Sequence, residues 1–102
     1  MKYERTAHFR RDFKKLPGDH QEQFREAARQ FHDAAVAAVG GGTSPWPNGL
    51  RVKAVQGARG VWEMTWSKDH PDGRATWEWV TIDGEPGIRW RRVGDHGVLD
   101  NA

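Results

Sequence analysis

The 102-residue chain contains no cysteine. That excludes a disulfide scaffold and any thiolate nucleophile or thiolate metal site, and it makes a reducing cytoplasm the simplest expected home. Long apolar runs are missing too. Hydrophobic residues make up 36% of the chain and are interrupted by charge throughout, which excludes a transmembrane helix. The opening stretch, MKYERTAHFRRDFKKLPGD, lacks an apolar core segment, so no signal peptide is expected. Nor is there a large excess of one charge. Sixteen Lys and Arg stand against 14 Asp and Glu, a net +2, and such a balance does not by itself announce a nucleic-acid binder. What the chain has in quantity is tryptophan, six residues, with four Phe and one Tyr. The length suits a single domain spanning 1–102 with a thin core, so these rings must carry much of the burial.

Apolar spacing divides the chain in two. Phe9, Phe13 and Leu16 recur at i, i+4, i+7, one stripe of a short helix that Pro17-Gly18 breaks. Asp19 stands three residues before Glu22, a start resembling a capping box. Phe24, Ala27, Ala28, Phe31, Ala34, Ala35 and Ala38 then keep helical spacing to about Val39, where Gly40-Gly41-Gly42 stops the helix and a loop follows to Gly49. Tyr3 to Thr6 reads as a short first strand. After Leu50 the period becomes two. Leu50, Val52, Trp62, Met64, Trp66, Trp77, Trp79, Ile88 and Trp90 fall on one parity, with turns at 56–60, 67–73 and 83–87. Consecutive hairpins predict an antiparallel meander. The fold class is therefore α+β: two N-terminal helices packed on one face of a twisted antiparallel sheet of four to five strands.

The opposite parity holds Arg51, Lys53, Glu63, Thr65, Arg74, Thr76, Glu78, Arg89 and Arg91. Five are cationic and two acidic. One reading is a solvated sheet face whose cross-strand ion pairs add little. The other is a basic surface for phosphate, since arginine forks match phosphate oxygens and Lys and Arg supply the salt-dependent part of nucleic-acid affinity. His8, His20 and His32 lie in the helical segments and His70 in the long hairpin loop, so all four are read as solvated. Trp46, between two prolines, is the better candidate among the tryptophans for a contact surface.

The end of the chain adds a pattern. Arg92, Gly94, His96 and Leu99 resemble the Arg-x-Gly-x-His-x-x-Leu/Phe ending of the RelE/ParE toxin superfamily, above all its YafQ-like members. Phe9 to Leu16 resembles the family's first helix with its Lys-Leu-Pro exit. Leu50 to Gly57 (LRVKAVQG) resembles its Leu-x-x-Lys-x-Leu-x-Gly strand, with Val55 in place of Leu. Gly60 to Met64 followed by Gly73-Arg74 resembles its central hairpin.

The resemblance implies the toxin of a type II toxin–antitoxin pair, with a cognate antitoxin as partner, alone a monomer and otherwise a hetero-oligomer, and with no membrane. In the RelE branch it implies a ribosome-dependent mRNA endoribonuclease acting on ribosome-bound mRNA. There the ribose 2′-hydroxyl attacks the adjacent phosphate, a base and an acid move protons, and cations stabilise the phosphorane, with no metal and no cofactor. Position by position, Arg74 matches the arginine that clamps the scissile phosphate, and His96 the C-terminal histidine, an imidazole suited to proton transfer near neutrality. Glu63 is the candidate general base, or else a partner for Arg74. Lys53, Arg51, Arg89 and Arg91 are the expected RNA-binding cations. The same fold also serves ParE-like gyrase inhibitors and non-catalytic binding proteins, and these remain the alternatives.

Overall fold

In the computed structural model, which describes residues 1–39, 46–68 and 72–102, Thr6 turns a strand into a helix. Strand β1 (Lys2–Arg5) ends there, and the Thr6 hydroxyl accepts from the Phe9 N–H at 3.0 Å, capping α1 (Ala7–Lys15). The same hydroxyl donates to the Arg91 carbonyl at 2.8 Å, which fixes the first helix against the last strand. Helix α2 (Gly18–Val39) follows almost at once. The Gln21 side-chain amide donates to the Phe13 and Leu16 carbonyls and so ties the start of α2 to the end of α1. The α2 stripe foreseen from spacing is the one that is buried: Phe24, Ala27, Phe31 and Ala35.

The sheet has five strands in the order β1-β5-β4-β3-β2, with β2 (Lys53–Ala54), β3 (Trp62–Ser67), β4 (Gly73–Ile82) and β5 (Glu85–Asp95). Strands β2 to β5 form the expected antiparallel meander. The expectation of an all-antiparallel sheet is corrected at one edge. Strand β1 runs parallel to β5, with Tyr3 opposite Ile88, a pairing between strands that two α-helices and three antiparallel strands separate in the chain. Asp83 and Gly84, both at positive φ, make a two-residue hairpin between Ile82 and Glu85, tighter than the turn expected over 83–87. Two short 3-10 turns complete the described chain, Asn48–Leu50 and His96–Asn101. No described helix is long and apolar enough to cross a membrane.

The core lies between the helices and one sheet face. Phe31 sits at its centre, its ring 4.9 Å from Trp77, 5.0 Å from Trp90 and 5.1 Å from Trp46. Trp46 is therefore a partly buried packing residue rather than a contact surface. Trp79 departs from the expected burial in the other direction and is 36% exposed. It shares the core parity but stands two residues beyond Trp77 along β4. His20 and His32 are not simply solvated either. His20 packs 5.7 Å from the Trp66 ring, and His32 Nδ1 is 2.6 Å from the Tyr3 hydroxyl. His70 lies outside the described residues.

Gly87 on β5 lies opposite Lys2 on β1, with no room for a side chain. A Cβ there would meet the Lys2 carbonyl at 2.9 Å and Ile82 Cδ1 at 2.7 Å. Gly87→Ala is expected to destabilise the fold by about 1–3 kcal/mol, the usual cost of overpacking. Urea denaturation monitored by the tryptophans checks this, and an unchanged midpoint would show that the edge strand yields.

Burial raises the Tyr3 phenol above its ordinary pKa, with the nearby Asp33 carboxylate adding to it. A raised folded-state pKa means that the contribution of Tyr3 to stability is complete below the free phenol value of about 10 and is lost as pH rises through the folded value. Because the chain has one tyrosine, ultraviolet phenolate absorbance reports Tyr3 alone. Its midpoint is expected above that of free tyrosine and should fall to it in denaturant.

Candidate functional site

Strand register builds the site on the sheet face away from the helices. Glu63 on β3 lies opposite Thr76 on β4, and Lys53 on β2 lies opposite Glu63. Arg74 lies opposite Thr65 on one side and Gly94 on the other. Gly94 is two residues before His96, so the start of β4 and the end of β5 bring Arg74 and the His96 backbone to one end of this face, although 22 positions separate them in sequence.

This face is not open. Glu63 is 5% exposed, Arg74 7% and Thr76 fully buried. Arg74 Nη1 donates to Thr65 Oγ1 at 2.6 Å and Nη2 to Asp72 at 3.3 Å, and Nε stands 3.6 Å from Glu63 Oε1. The Glu63–Arg74 pair anticipated as one reading of Glu63 is thus formed. Both members are desolvated, so each depends on the other far more than a surface pair does.

A second cluster lies further along the face. Glu78 accepts from Arg91 Nη1 at 2.7 Å and lies 3.6 Å from Arg89 Nη1, while Arg89 Nε donates to Glu4 at 2.9 Å. The hydrogen bond from Arg89 to Glu4 raises the guanidinium pKa, against the opposing effect of desolvation. Two expected phosphate-binding cations, Arg89 and Arg91, are therefore already paired with carboxylates. Lys53 is exposed, and among the described residues its side chain has no ionic partner. Arg51 is corrected. It precedes β2 at positive φ, ending the Asn48–Leu50 turn, so strand parity does not place it on the face.

The register shifts between Thr76 and Trp77. Thr76 pairs with Arg92 and Trp77 with Trp90, leaving Arg91 as the extra residue of a bulge. A bulge re-aims side chains and breaks strict alternation, and here it sends two consecutive arginines to different partners. Arg91 joins Glu78 on the face, whereas Arg92 Nε and Nη2 donate to the two Asp12 oxygens on α1 at 2.7 and 3.2 Å. Asp12 also accepts from the Val93 N–H at 3.2 Å, and its hydrogen bond raises the Arg92 pKa. The arginine of the Arg-x-Gly-x-His pattern thus anchors the strand end to the helix layer. Asp12 carried no sequence signal, because an exposed helical aspartate reads the same with or without a partner.

His96 is exposed and begins the 3-10 turn, which Asp95 caps by accepting from the Gly97 N–H at 2.8 Å. Among the described residues the His96 side chain makes no hydrogen bond. Arg74 and Glu63 offer a cation and a carboxylate at one end of this face, and the His96 backbone lies at the same end with an exposed side chain. On the other side of the molecule a groove of about 620 Å³ runs between the helices and β1, floored by Phe13, Phe24 and Trp90 and rimmed by Arg5, Arg25 and Arg29.

No protein-family model matches the chain, and no characterised protein matches it in sequence. Solved structures do match in three dimensions. The RelB–RelE antitoxin–toxin complex from Methanococcus jannaschii superposes with a TM-score of 0.57 at 13% identity, over 96% of this chain and 95% of that one. The YoeB/ParE toxin from Agrobacterium tumefaciens superposes with a TM-score of 0.56 at 14% identity, over 94% and 99%. Nearly the whole of each chain is covered, at identities where the backbone arrangement is what is held in common: this chain has the fold of the RelE and YoeB/ParE toxins.

Proposed function

We propose that this protein is the toxin of a type II toxin–antitoxin pair and cleaves mRNA on the ribosome, in the cytoplasm. The observation that carries the reading is the convergence of Arg74, Glu63 and the His96 backbone at one end of one face of this fold. Transfer of a ribose 2′-hydroxyl onto phosphorus needs charge stabilisation on the phosphorane and two proton transfers. Arg74 supplies the first, Glu63 takes the 2′-hydroxyl proton, and His96 protonates the leaving 5′ oxygen. Lys53, and Arg91 once free of its carboxylate, hold flanking phosphates.

The antitoxin is the partner this reading requires, and the sheet face, largely charge-compensated, offers it few free cations. The groove between the helices and β1 has an aromatic floor, while its rim arginines Arg25 and Arg29 already pair with Glu22 and Glu26, so it suits an amphipathic segment that docks chiefly by its apolar face and folds on binding.

One observation favours the non-catalytic alternative: the Arg74–Glu63 pair is buried, as a purely structural pair is. Induced expression in cells decides between them. Growth arrest with new 5′ ends inside translated mRNA supports the nuclease. Arrest without cleavage points to gyrase inhibition, and no arrest to a binding protein.

A further inference from the structure

The segment after β5 lies on the same face as Arg74. A Cβ on Gly94, the residue opposite Arg74, would stand 2.9 Å from Val98 Cγ1, so the missing side chain of Gly94 is the seat of Val98. Arg91 Nε donates to the Ala102 carbonyl at 2.8 Å and Arg92 Nη1 to the Asn101 carbonyl at 3.3 Å. The turn packs on β4 and β5. It is the described element that covers this end of the face.

The turn buries little apolar surface. Val98 is its one fully buried side chain and Leu99 is half-buried; His96, Gly97, Asp100 and Asn101 are exposed. On this face the polar groups are incompletely satisfied. Thr76 Oγ1 is buried with no hydrogen-bond partner among the described residues, and Arg74 Nε makes no hydrogen bond, only its 3.6 Å ion pair with Glu63. A buried polar atom without a partner disfavours the covered state relative to one in which solvent or a ligand reaches it. Segments with few buried apolar contacts are those that open locally.

We propose that the turn His96–Asn101 is a displaceable cover over a phosphate-binding face, and that an RNA phosphate replaces the Ala102 carbonyl on Arg91 when it lifts. The proposal rests on the nuclease reading for the identity of the ligand, but not for the existence of the cover. His96 is the first residue of the turn, next to its Asp95 cap, so lifting the turn pivots near His96 and leaves it beside the uncovered Arg74. The covered form is the resting state, and the fraction of open molecules sets the apparent affinity for RNA.

The chain has no cysteine of its own, so a lock can be built cleanly. Gly94→Cys with Val98→Cys places two thiols at a contact short enough to bridge, and the oxidised protein holds the turn down. Val98→Asp does the opposite by removing the apolar seat. Two readouts are compared for wild type, Val98→Asp, and the double variant oxidised and reduced. One is modification of Arg74 and Arg91 by phenylglyoxal, mapped by mass spectrometry without RNA. The other is binding of a single-stranded RNA oligonucleotide. The expected result is that oxidation slows arginine modification and weakens RNA binding by about tenfold or more, that reduction restores both, and that Val98→Asp speeds modification. Equal modification in all forms overturns the cover. Modification that responds, in a protein that binds no RNA in any form, upholds the cover and overturns the RNA reading. Modification that responds while the oxidised form binds RNA as well as the reduced form overturns the claim that RNA and the turn compete.

Discussion

Arg74→Ala is expected to cost both stability and activity, and the two losses separate. Removing one member of a buried ion pair leaves the other charged and uncompensated, which typically costs about 3–5 kcal/mol. Small domains have only about 5–15 kcal/mol in hand. The melting temperature should drop on the order of 15–30 °C, read by circular dichroism. Adding Glu63→Gln removes the stranded carboxylate and should recover part of that loss. A double variant no more stable than Arg74→Ala would show that Glu63 is not the partner that matters. Cleavage by Arg74→Ala, measured by primer extension on translating ribosomes at a temperature where the protein is folded, should fall by about 10²-fold or more, the usual loss when a transition-state charge stabiliser is removed. Arg74→Lys keeps a cation beside Glu63 but not the fork that also reaches Thr65 and Asp72. It should therefore hold the fold better than alanine while still cleaving poorly.

His96→Gln should behave in the opposite way, with activity lost and stability kept. The side chain is exposed and makes no hydrogen bond among the described residues, so the stability change should stay within about 0.5 kcal/mol. If His96 moves a proton, cleavage should fall by about 10²–10⁴-fold. Glutamine keeps the polarity and much of the size of the ring but does not titrate. The same primer-extension assay and melting curve decide it. A folded His96→Gln protein that cleaves like wild type takes His96 out of the mechanism and moves the reading to gyrase inhibition or to a binding protein.

The contrast between the two variants follows from where each side chain ended up. In sequence, Arg74 and His96 were equals, each a polar residue beside a glycine near the end of a strand. Strand parity put Arg74 and Glu63 on one face correctly, since alternation reports the face directly. It could not report that Glu4, Glu78 and Asp72 neutralise the cations around them, because a carboxylate reads the same whether it meets water or a guanidinium. Lys53 stands where parity put it, exposed beside Glu63. Arg51 does not, since its left-handed backbone takes it out of the ladder.

The sequence by itself determined the layered architecture. The stripe Phe24, Ala27, Phe31 and Ala35 and the alternation Trp62, Met64 and Trp66 are local patterns, and local spacing is enough to state which side of an element joins the apolar core. The pattern around Arg92, Gly94 and His96 is likewise local and marks the end of β5. The tertiary structure alone decided the direction of β1, the bulge that parts Arg91 from Arg92, and the burial of the face that parity left open. Each depends on contacts between residues distant in the chain: β1 on its parallel pairing with β5, Arg92 on Asp12, some eighty residues earlier. The glycine at 94 shows the division most plainly. In the sequence it is a break before a histidine, and in the fold it is the hollow that receives Val98 and closes the site, because the room left by a missing side chain has meaning only once another side chain fills it.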